Sequence, residues 1–276
     1  WLHYMRETAP NKMDKIDQIV DYISEGRYPT LGMPGEYMSY SNEGYALLSY
    51  VVDQAAGIPL EEYLQEKIFK PLGMHRTVLD EDCSKARILA EGNITSLFEE
   101  DDEADWVCDD NWSVLPPFRG CACVKSTASD MTRYYKMIAD NGLWEGRQVV
   151  PKEAIELFIG KKYPTRVKPY CMGLEKRLIG GRVVCQHSGG LHGVSSYGGA
   201  MEGGYSVTVL CNQGDVDVQP FQDACYNYLL GQPLSYDNNW ALPCGKEFSA
   251  PEMLCGDFVA HEGVPSHTIV QLKDGK

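Results

Sequence analysis

The sequence has few basic residues, no long apolar run and no closely spaced pairs of metal ligands. It contains 25 Lys and Arg against 39 Asp and Glu, which gives a formal net charge of −14. Nucleic-acid binding depends on clustered Lys and Arg that neutralise phosphates, so this balance argues against a polyanionic partner. No stretch approaches the roughly 18 consecutive apolar residues of a membrane-spanning helix. We therefore expect no membrane segment in this chain.

Patterns typical of metal sites are also missing. The ten cysteines include no Cys-x-x-Cys pair, only Cys121-Ala122-Cys123, and the six histidines show no ligand spacing. The acidic run at residues 99–105 lacks the alternating ligands and the central Gly of a calcium loop. We expect no metal and no cofactor. The irregular cysteine spacing indicates reduced, mostly buried thiols, which favours a reducing compartment and hence a cytoplasmic protein.

The apolar fraction of 43% is ample for a buried core, and the hydrophobic periodicity predicts an α+β fold. The predicted helices cover residues 11–26, 42–56, 60–70, 127–140, 151–158 and 220–230. The predicted strands are 182–186, 195–201 and 205–211, separated by turns at Gly189-Gly190 and Gly203-Gly204. Residues 80–119 are predicted to form a long lobe of loops. In the helix at 42–56, the residues predicted to face the core are Leu47, Leu48, Val51, Val52 and Ala55.

Both ends of the sequence look like cut ends. The chain starts at Trp1 rather than Met, and Asp274-Gly275 is a turn signal followed by a single residue. We expect the chain to be a piece of a longer protein.

Two motifs suggest catalytic chemistry. Tyr40-Ser41-Asn42 opens a predicted helix after the turn Pro34-Gly35-Glu36, and His187-Ser188-Gly189-Gly190 lies among the predicted strands. A tyrosine can take the proton of a serine hydroxyl when nearby positive charge lowers its pKa from about 10. Each motif also has a simpler interpretation. Ser and Asn are good helix caps, and a lone histidine is more often structural.

A longer ordered string of residues carries a family resemblance. Its parts are Tyr40–Asn42, Gly44–Leu48, Gly57–Leu60, Ile68–Met74 with Thr77, Ser126–Met131 and His187–Gly190. This order resembles the class C β-lactamase-related serine hydrolases, which include penicillin-binding carboxypeptidases and esterases, over about residues 1–232. The resemblance implies an α+β fold of the β-lactamase/transpeptidase type, with an antiparallel sheet packed by helices, for residues 1–235. A linker at 236–244 and the start of a truncated β-rich domain at 245–276 would follow.

The resemblance also implies roles for individual residues. Tyr40 would act as general base and then as acid toward the leaving group, and Asn42 would orient the carbonyl or amide of the substrate. His187 stands where many relatives carry Lys. Gly190 would lend its backbone N–H to an oxyanion hole.

The substrate implied by the resemblance is an amide or ester of a small molecule or a peptide. Ser188 and Gly189 would line its binding site, and Gly189 would let it approach the strand closely. Because His187 replaces the Lys that would bind a β-lactam carboxylate, peptidase or esterase activity is favoured over penicillin resistance.

The nucleophile of this family, the serine of a Ser-x-x-Lys helix, is missing. No serine in the chain has Lys three residues later, and the similar Thr165-Arg166-Val167-Lys168 precedes Pro169, which prevents a continuous helix. We expect the nucleophile helix and the N-terminal strands to lie upstream, and the isolated chain to be inactive. The strand at 205–211 would then be an exposed sheet edge open to self-association.

Two other classes of function compete with this interpretation. One is a non-catalytic binding module that keeps the family cleft but has lost the nucleophile. The other is a metal-dependent hydrolase, which the histidine spacing disfavours.

Overall fold

A computed structural model describes residues 15–25, 32–36, 38–79, 96–99, 106–109, 116–160, 169–191, 194–214, 216–234, 255–259 and 267–270. The chain divides into two units, one from Lys12 to Tyr236 and the other formed by residues 1–11 and 237–276. The predicted linker at 236–244 lies outside the described residues, so it stays a prediction.

The helices and strands are numbered in chain order. The helices are α1 (Ile16–Ser24), α2 (Asn42–Ala56), α3 (Leu60–Leu64), α4 (Ala128–Ala139), α5 (Lys152–Gly160) and α6 (Gln219–Leu229). The strands are β1 (Val78–Leu79), β2 (Ser96–Glu99), β3 (Trp106–Asp109), β4 (Val124–Lys125), β5 (Leu143–Trp144), β6 (Arg147–Gln148), β7 (Glu175–Ile179), β8 (Arg182–Leu191), β9 (Val194–Met201), β10 (Tyr205–Cys211), β11 (Gly256–Val259) and β12 (His267–Val270). The mixed α+β architecture predicted from the sequence is confirmed.

Strands β7 to β10 form an antiparallel sheet in the order β10-β9-β8-β7. Successive side chains of each strand point to opposite faces of this sheet. On one face, Val184 belongs to a buried cluster with Tyr226 of α6. On the other face, Cys185 belongs to a buried cluster with Tyr135 of α4. The sheet is thus covered on both faces, and β10 and β7 are its two edge strands among the described residues.

Two features of this sheet differ from the prediction. Gly189 and Gly190 lie within β8, paired with Ser196 and Ser195 of β9, so they do not form the predicted turn. Strand β7 was missed altogether because its sequence, Glu-Lys-Arg-Leu-Ile, lacks an apolar alternation. Polar side chains of this strand have partners elsewhere in the fold: Arg177 forms an ion pair with Asp223 of α6 at 2.5 Å, and Glu175 accepts a hydrogen bond from Gln186 of β8 at 2.9 Å.

Helix α4 begins as its capping signal predicts. Thr127 is the N-cap, and its Oγ1 accepts a hydrogen bond from the backbone N–H of Asp130 at 3.2 Å. The Asp130 carboxylate, which is 5% exposed, accepts from the Thr77 hydroxyl at 2.9 Å and from the Arg76 backbone N–H at 2.8 Å. Asp130 therefore fastens the segment before β1 to the start of α4.

Helix α2 has the predicted bounds, Asn42 to Ala56, but buries a different face. Ala46 and Ser49 are buried, whereas Leu48 and Val51 are 53% and 56% exposed. The small residues face the loop at Gly120, where an added Cβ would lie 2.8 Å from the Ser49 Cβ. The prediction was wrong here because the close approach of this loop, and not side-chain hydrophobicity, decides which face is buried.

Four two-stranded pairs (β1 with β4, β2 with β3, β5 with β6, and β11 with β12), a 3-10 turn at Pro116–Phe118 and a π-helical turn also belong to the described structure. The predicted helix at 60–70 continues beyond α3 as a π-helical turn, Gln65–Phe69. Strands β2 and β3 pair antiparallel inside the segment predicted to be loops, which corrects that prediction for these residues. Strands β11 and β12 pair antiparallel close to the positions predicted for the second domain. Among the described helices, none combines the length and the apolar character that crossing a membrane requires.

Candidate active site

The first motif lies at the start of α2. Ser41 is the N-cap in an extended conformation, and its Oγ accepts a hydrogen bond from the Gly44 backbone N–H at 3.0 Å. Asn42 is the first residue of the helix, and Tyr40 immediately precedes the cap with 60% of its surface exposed. The capping interpretation is therefore correct for Ser41, and the cap leaves Tyr40 at the open end of the helix.

The second motif lies on strand β8, where its register with β9 shapes the surroundings. His187 pairs with Gly198, at which an added Cβ would overlap the ring of Tyr135. At Gly189 an added Cβ would lie 2.5 Å from Ser196 Oγ, and at Gly190 it would meet no atom within 4 Å. The tight packing at Gly189 thus comes from the neighbouring strand, whereas Gly190 is open.

The fold brings the two motifs together. The ring centroids of Tyr40 and His187 lie 6.0 Å apart, with their planes inclined at 32°. Ser188, the next residue of the strand, points to the opposite face of the sheet from His187 and pairs with Tyr197 of β9. Of the predicted site residues, Tyr40 and His187 are therefore brought close together in space, and Asn42 and Gly190 belong to the same two motifs.

A residue that sequence reasoning missed completes this group. The Tyr170 hydroxyl lies 2.8 Å from His187 Nε2, and the two rings meet edge-on with centroids 6.1 Å apart. The other ring nitrogen of His187, Nδ1, lies 2.5 Å from the backbone oxygen of Ser188. Tyr170 is placed by an isolated bridge to Glu175, the first residue of β7. A contact of this kind leaves no local sequence pattern, so sequence reasoning could not identify Tyr170.

The electrostatics around Tyr40 do not favour a phenolate. Burial, followed by the Cys121 thiol, raises the pKa of Tyr40 above its ordinary value of 10.0. Burial, followed by Cys123 and Glu43, raises the pKa of Cys121 to about 12. A tyrosine that serves as a base near neutral pH needs a positive charge close by. The described residues supply no contribution that lowers the pKa of Tyr40.

The serines nearest to the second motif have structural partners. Ser196 Oγ donates to the Gly189 backbone oxygen at 3.2 Å, and Ser195 Oγ, on a buried side chain, accepts from the Val216 backbone N–H at 3.1 Å. Among the described residues, no three His, Cys, Asp or Glu side chains are grouped so as to hold a metal ion. The described geometry thus brings a tyrosine and a histidine of the two motifs together beside a strand.

Comparison with known sequences identifies related proteins. The profile of the family described as Beta-lactamase matches residues 2–224. Penicillin-binding protein 4 of Amycolatopsis lactamdurans is 30% identical over 112 residues, which are 40% of this chain and 28% of that protein. The D-aminopeptidase of Gluconobacter oxydans is 26% identical over 205 residues, which are 71% of this chain and 35% of that enzyme. The chain thus spans about a third of the length of these relatives.

Solved structures share the fold. The octameric penicillin-binding protein homologue from Pyrococcus abyssi superposes with a TM-score of 0.65 at 22% identity, covering 84% of this chain and 51% of that one. The D-amino acid amidase from Ochrobactrum anthropi superposes with a TM-score of 0.61 at 19% identity, covering 82% of this chain and 68% of the amidase. At such low identity these similarities establish the β-lactamase/transpeptidase-like fold and nothing finer.

Proposed function

This chain belongs to the Beta-lactamase family, and on that premise we propose that it carries the general base and the strand edge of a serine acyl-transfer site. The observation that carries this proposal is the approach of Tyr40 to His187, with ring centroids 6.0 Å apart. These two residues come from motifs far apart in the sequence, and simple capping or core packing would not require them to meet.

The proposed reaction passes through a covalent acyl-enzyme. A serine hydroxyl attacks the substrate carbonyl while Tyr40 takes its proton, and the carbonyl oxygen accepts a hydrogen bond from the Gly190 backbone N–H. Tyr40 then returns the proton to the departing amine or alcohol, which leaves the acyl group on the serine as an ester. Water then attacks the ester while Tyr40 takes its proton, and Tyr40 passes that proton to the departing serine oxygen, which releases the acid and restores the serine hydroxyl. Asn42 holds the substrate carbonyl or amide during both steps.

The nucleophile of this reaction is outside these 276 residues, since none of their serines has Lys three residues later. A lysine one helical turn from the serine would also supply the positive charge that Tyr40 lacks here. This would lower the pKa of Tyr40, which burial and Cys121 raise in the present structure. We therefore propose that the chain alone is inactive.

The substrate we propose is an amide or ester of a small molecule or peptide. The relatives include penicillin-binding proteins and a D-aminopeptidase, and the structural neighbours include a D-amino acid amidase. We also propose a reducing, cytoplasmic compartment, which the irregular spacing of the ten cysteines supports.

The test compares the 276-residue chain with the same chain fused behind a Ser-x-x-Lys segment of a family member. The chain alone should not hydrolyse a chromogenic β-lactam or a p-nitrophenyl ester and should not react with a fluorophosphonate probe. The fusion should do one or more of these, and Tyr40→Phe should lower its kcat/KM about a hundredfold or more, as loss of a general base does. Tyr228→Phe, at a side chain 75% exposed on α6, is the matched control.

Stoichiometric labelling of the unfused chain by the probe would contradict the proposal, because it would reveal another nucleophile. The alternative is a non-catalytic binding module that has lost the nucleophile. The absence of Ser-x-x-Lys from these 276 residues is compatible with it as well. A folded fusion that binds substrate without turnover would support that alternative.

We further propose that β10 mediates self-association. It is one of the two edge strands of its sheet among the described residues, and its Leu210 is 44% exposed. Leu210→Lys should shift sedimentation toward the monomer by placing a charge at the edge, whereas Leu157→Lys on α5, at a residue 53% exposed, should not. Identical sedimentation of both variants and the parent would exclude this edge as the interface.

A further inference from the structure

Both ring nitrogens of His187 are engaged by groups of its own chain. Nδ1 lies 2.5 Å from the Ser188 backbone oxygen, and Nε2 lies 2.8 Å from the Tyr170 hydroxyl. A backbone carbonyl oxygen can only accept a hydrogen bond, so the proton of the neutral imidazole belongs on Nδ1. Nε2 is then an acceptor, and the Tyr170 hydroxyl must donate to it.

The chemistry of Tyr170 suits this donor role. Burial raises its pKa above 10.0, and Tyr40, Tyr45, Glu175 and Cys171 raise it further. Tyr170 therefore keeps its proton throughout the neutral range, so the phenol is always able to donate.

The backbone holds Tyr170 in place independently of this hydrogen bond. Tyr170 forms a bridge with Glu175, and the Cys171 N–H donates to the Leu174 oxygen at 2.7 Å. Glu175 in turn pairs with Gln186, the residue before His187. Tyr170 is thus bridged to β7, and β7 pairs with the strand that carries His187, so backbone pairing sets the separation of the two side chains.

We propose that Tyr170 is a positioning residue that holds His187 with its proton on Nδ1 and with Nε2 as an acceptor. Neutral His187 then presents no N–H to a substrate, since its one proton points at Ser188 and its lone pair is taken by Tyr170. A carboxylate only accepts hydrogen bonds, so a substrate that binds His187 through one must displace Tyr170 and also requires a proton on Nε2, whereas a neutral acyl group requires neither. Tyr170 would accordingly bias the site toward substrates without a carboxylate, and this consequence rests on the proposed function.

The tautomer can be measured on the 276-residue chain, with no catalytic activity required. Long-range ¹H–¹⁵N spectra of protein labelled with ¹⁵N-histidine distinguish the two tautomers, and His187→Gln identifies the His187 signals by their loss. The parent chain should show the proton on Nδ1. Tyr170→Phe, which keeps the ring but removes the donor, should move the Nε2 resonance toward that of a nitrogen without a hydrogen bond.

Tyr228→Phe is the control, because it removes the hydroxyl of an exposed tyrosine on α6. It should leave the Nε2 resonance where it is. A parent chain with the proton on Nε2, or a Tyr170→Phe variant with an unmoved Nε2 resonance, would overturn the proposal.

The consequence for substrates is tested in the fusion that carries a Ser-x-x-Lys segment. Tyr170→Phe should raise kcat/KM for p-nitrophenyl hemisuccinate relative to p-nitrophenyl butyrate by roughly fivefold, the size of one hydrogen bond. An equal effect on both esters would overturn the substrate bias. A fusion inactive toward both esters would count against the proposed function, while the spectra would still decide the tautomer.

Discussion

The strand side and the helix side of the candidate site are held in different ways. On the strand side, both ring nitrogens of His187 have partners, and its cross-strand neighbour Gly198 packs against Tyr135. On the helix side, Ser41 caps α2, but Tyr40 is 60% exposed and the groups around it raise its pKa. The strand side is arranged by the fold itself, whereas the helix side lacks the charge that would make Tyr40 a base.

This difference follows from the origin of each set of contacts. Backbone pairing places Tyr170, His187 and Gly198: Tyr170 is bridged to β7, β7 pairs with β8, and His187 of β8 pairs with Gly198 of β9. Tyr40 needs a cation to act as a base, and no described residue contributes one to it. The backbone thus fixes the positions of the groups on the strand side, while on the helix side no described residue supplies the positive charge that would lower the pKa of Tyr40.

The largest effect is expected from breaking the strand side at Gly198. In Gly198→Ala the added Cβ would overlap the buried ring of Tyr135, so either the ring or the strand must move. Overpacking of this kind costs about 3 kcal/mol in free energy of unfolding, near the upper end of its usual range. Urea unfolding monitored by circular dichroism measures the loss.

The control for this prediction lies on the neighbouring strand. Gly190→Ala places a Cβ where no atom lies within 4 Å, so the free energy of unfolding should change by less than about 1 kcal/mol. Equal stability of the two variants would mean that the contact between Gly198 and Tyr135 does not hold this side of the site together.

The sequence predicted those elements whose boundaries are marked by local chemistry. Helix α2 has its predicted bounds because Ser41 caps its start and Gly57, with φ of 68°, ends it in the left-handed conformation that glycine adopts easily. Helix α4 likewise starts at the Thr127 cap. Tyr40 and His187 could be placed in one site through the family resemblance, and the structure brings their rings together.

Features set by distant contacts could not be predicted in this way. Strand β7 is charged, and it is stabilised by partners such as Asp223, which lies 46 residues from Arg177. Tyr170 acquires its position from the register of β7 against β8 and not from a motif of its own. The exposed face of α2 was misassigned because hydrophobic periodicity does not reveal that the loop at Gly120 packs against its small residues.

The smaller effect is expected on the helix side, at the Cys121 thiol beside Tyr40. Burial, Cys123 and Glu43 raise the pKa of Cys121 to about 12 from an ordinary 9.0. Deprotonation of a thiol creates a negative charge, so removing the Glu43 carboxylate should lower this pKa and increase the thiolate fraction at pH 9. Glu43→Gln should therefore speed alkylation of Cys121 by iodoacetamide about twofold to fivefold, the range of a partly screened charge pair.

Site-resolved mass spectrometry measures this rate, with exposed Cys225 as an internal reference in the same sample. The amide introduced by Glu43→Gln keeps an oxygen that can accept the hydrogen bond now donated by Ser41 Oγ at 3.0 Å, so the helix cap should survive the change. Glu62→Gln, at an exposed position of α3, controls for the general loss of one negative charge. If Cys121 reacts equally fast in Glu43→Gln, Glu62→Gln and the parent, the carboxylate of Glu43 does not act on this thiol.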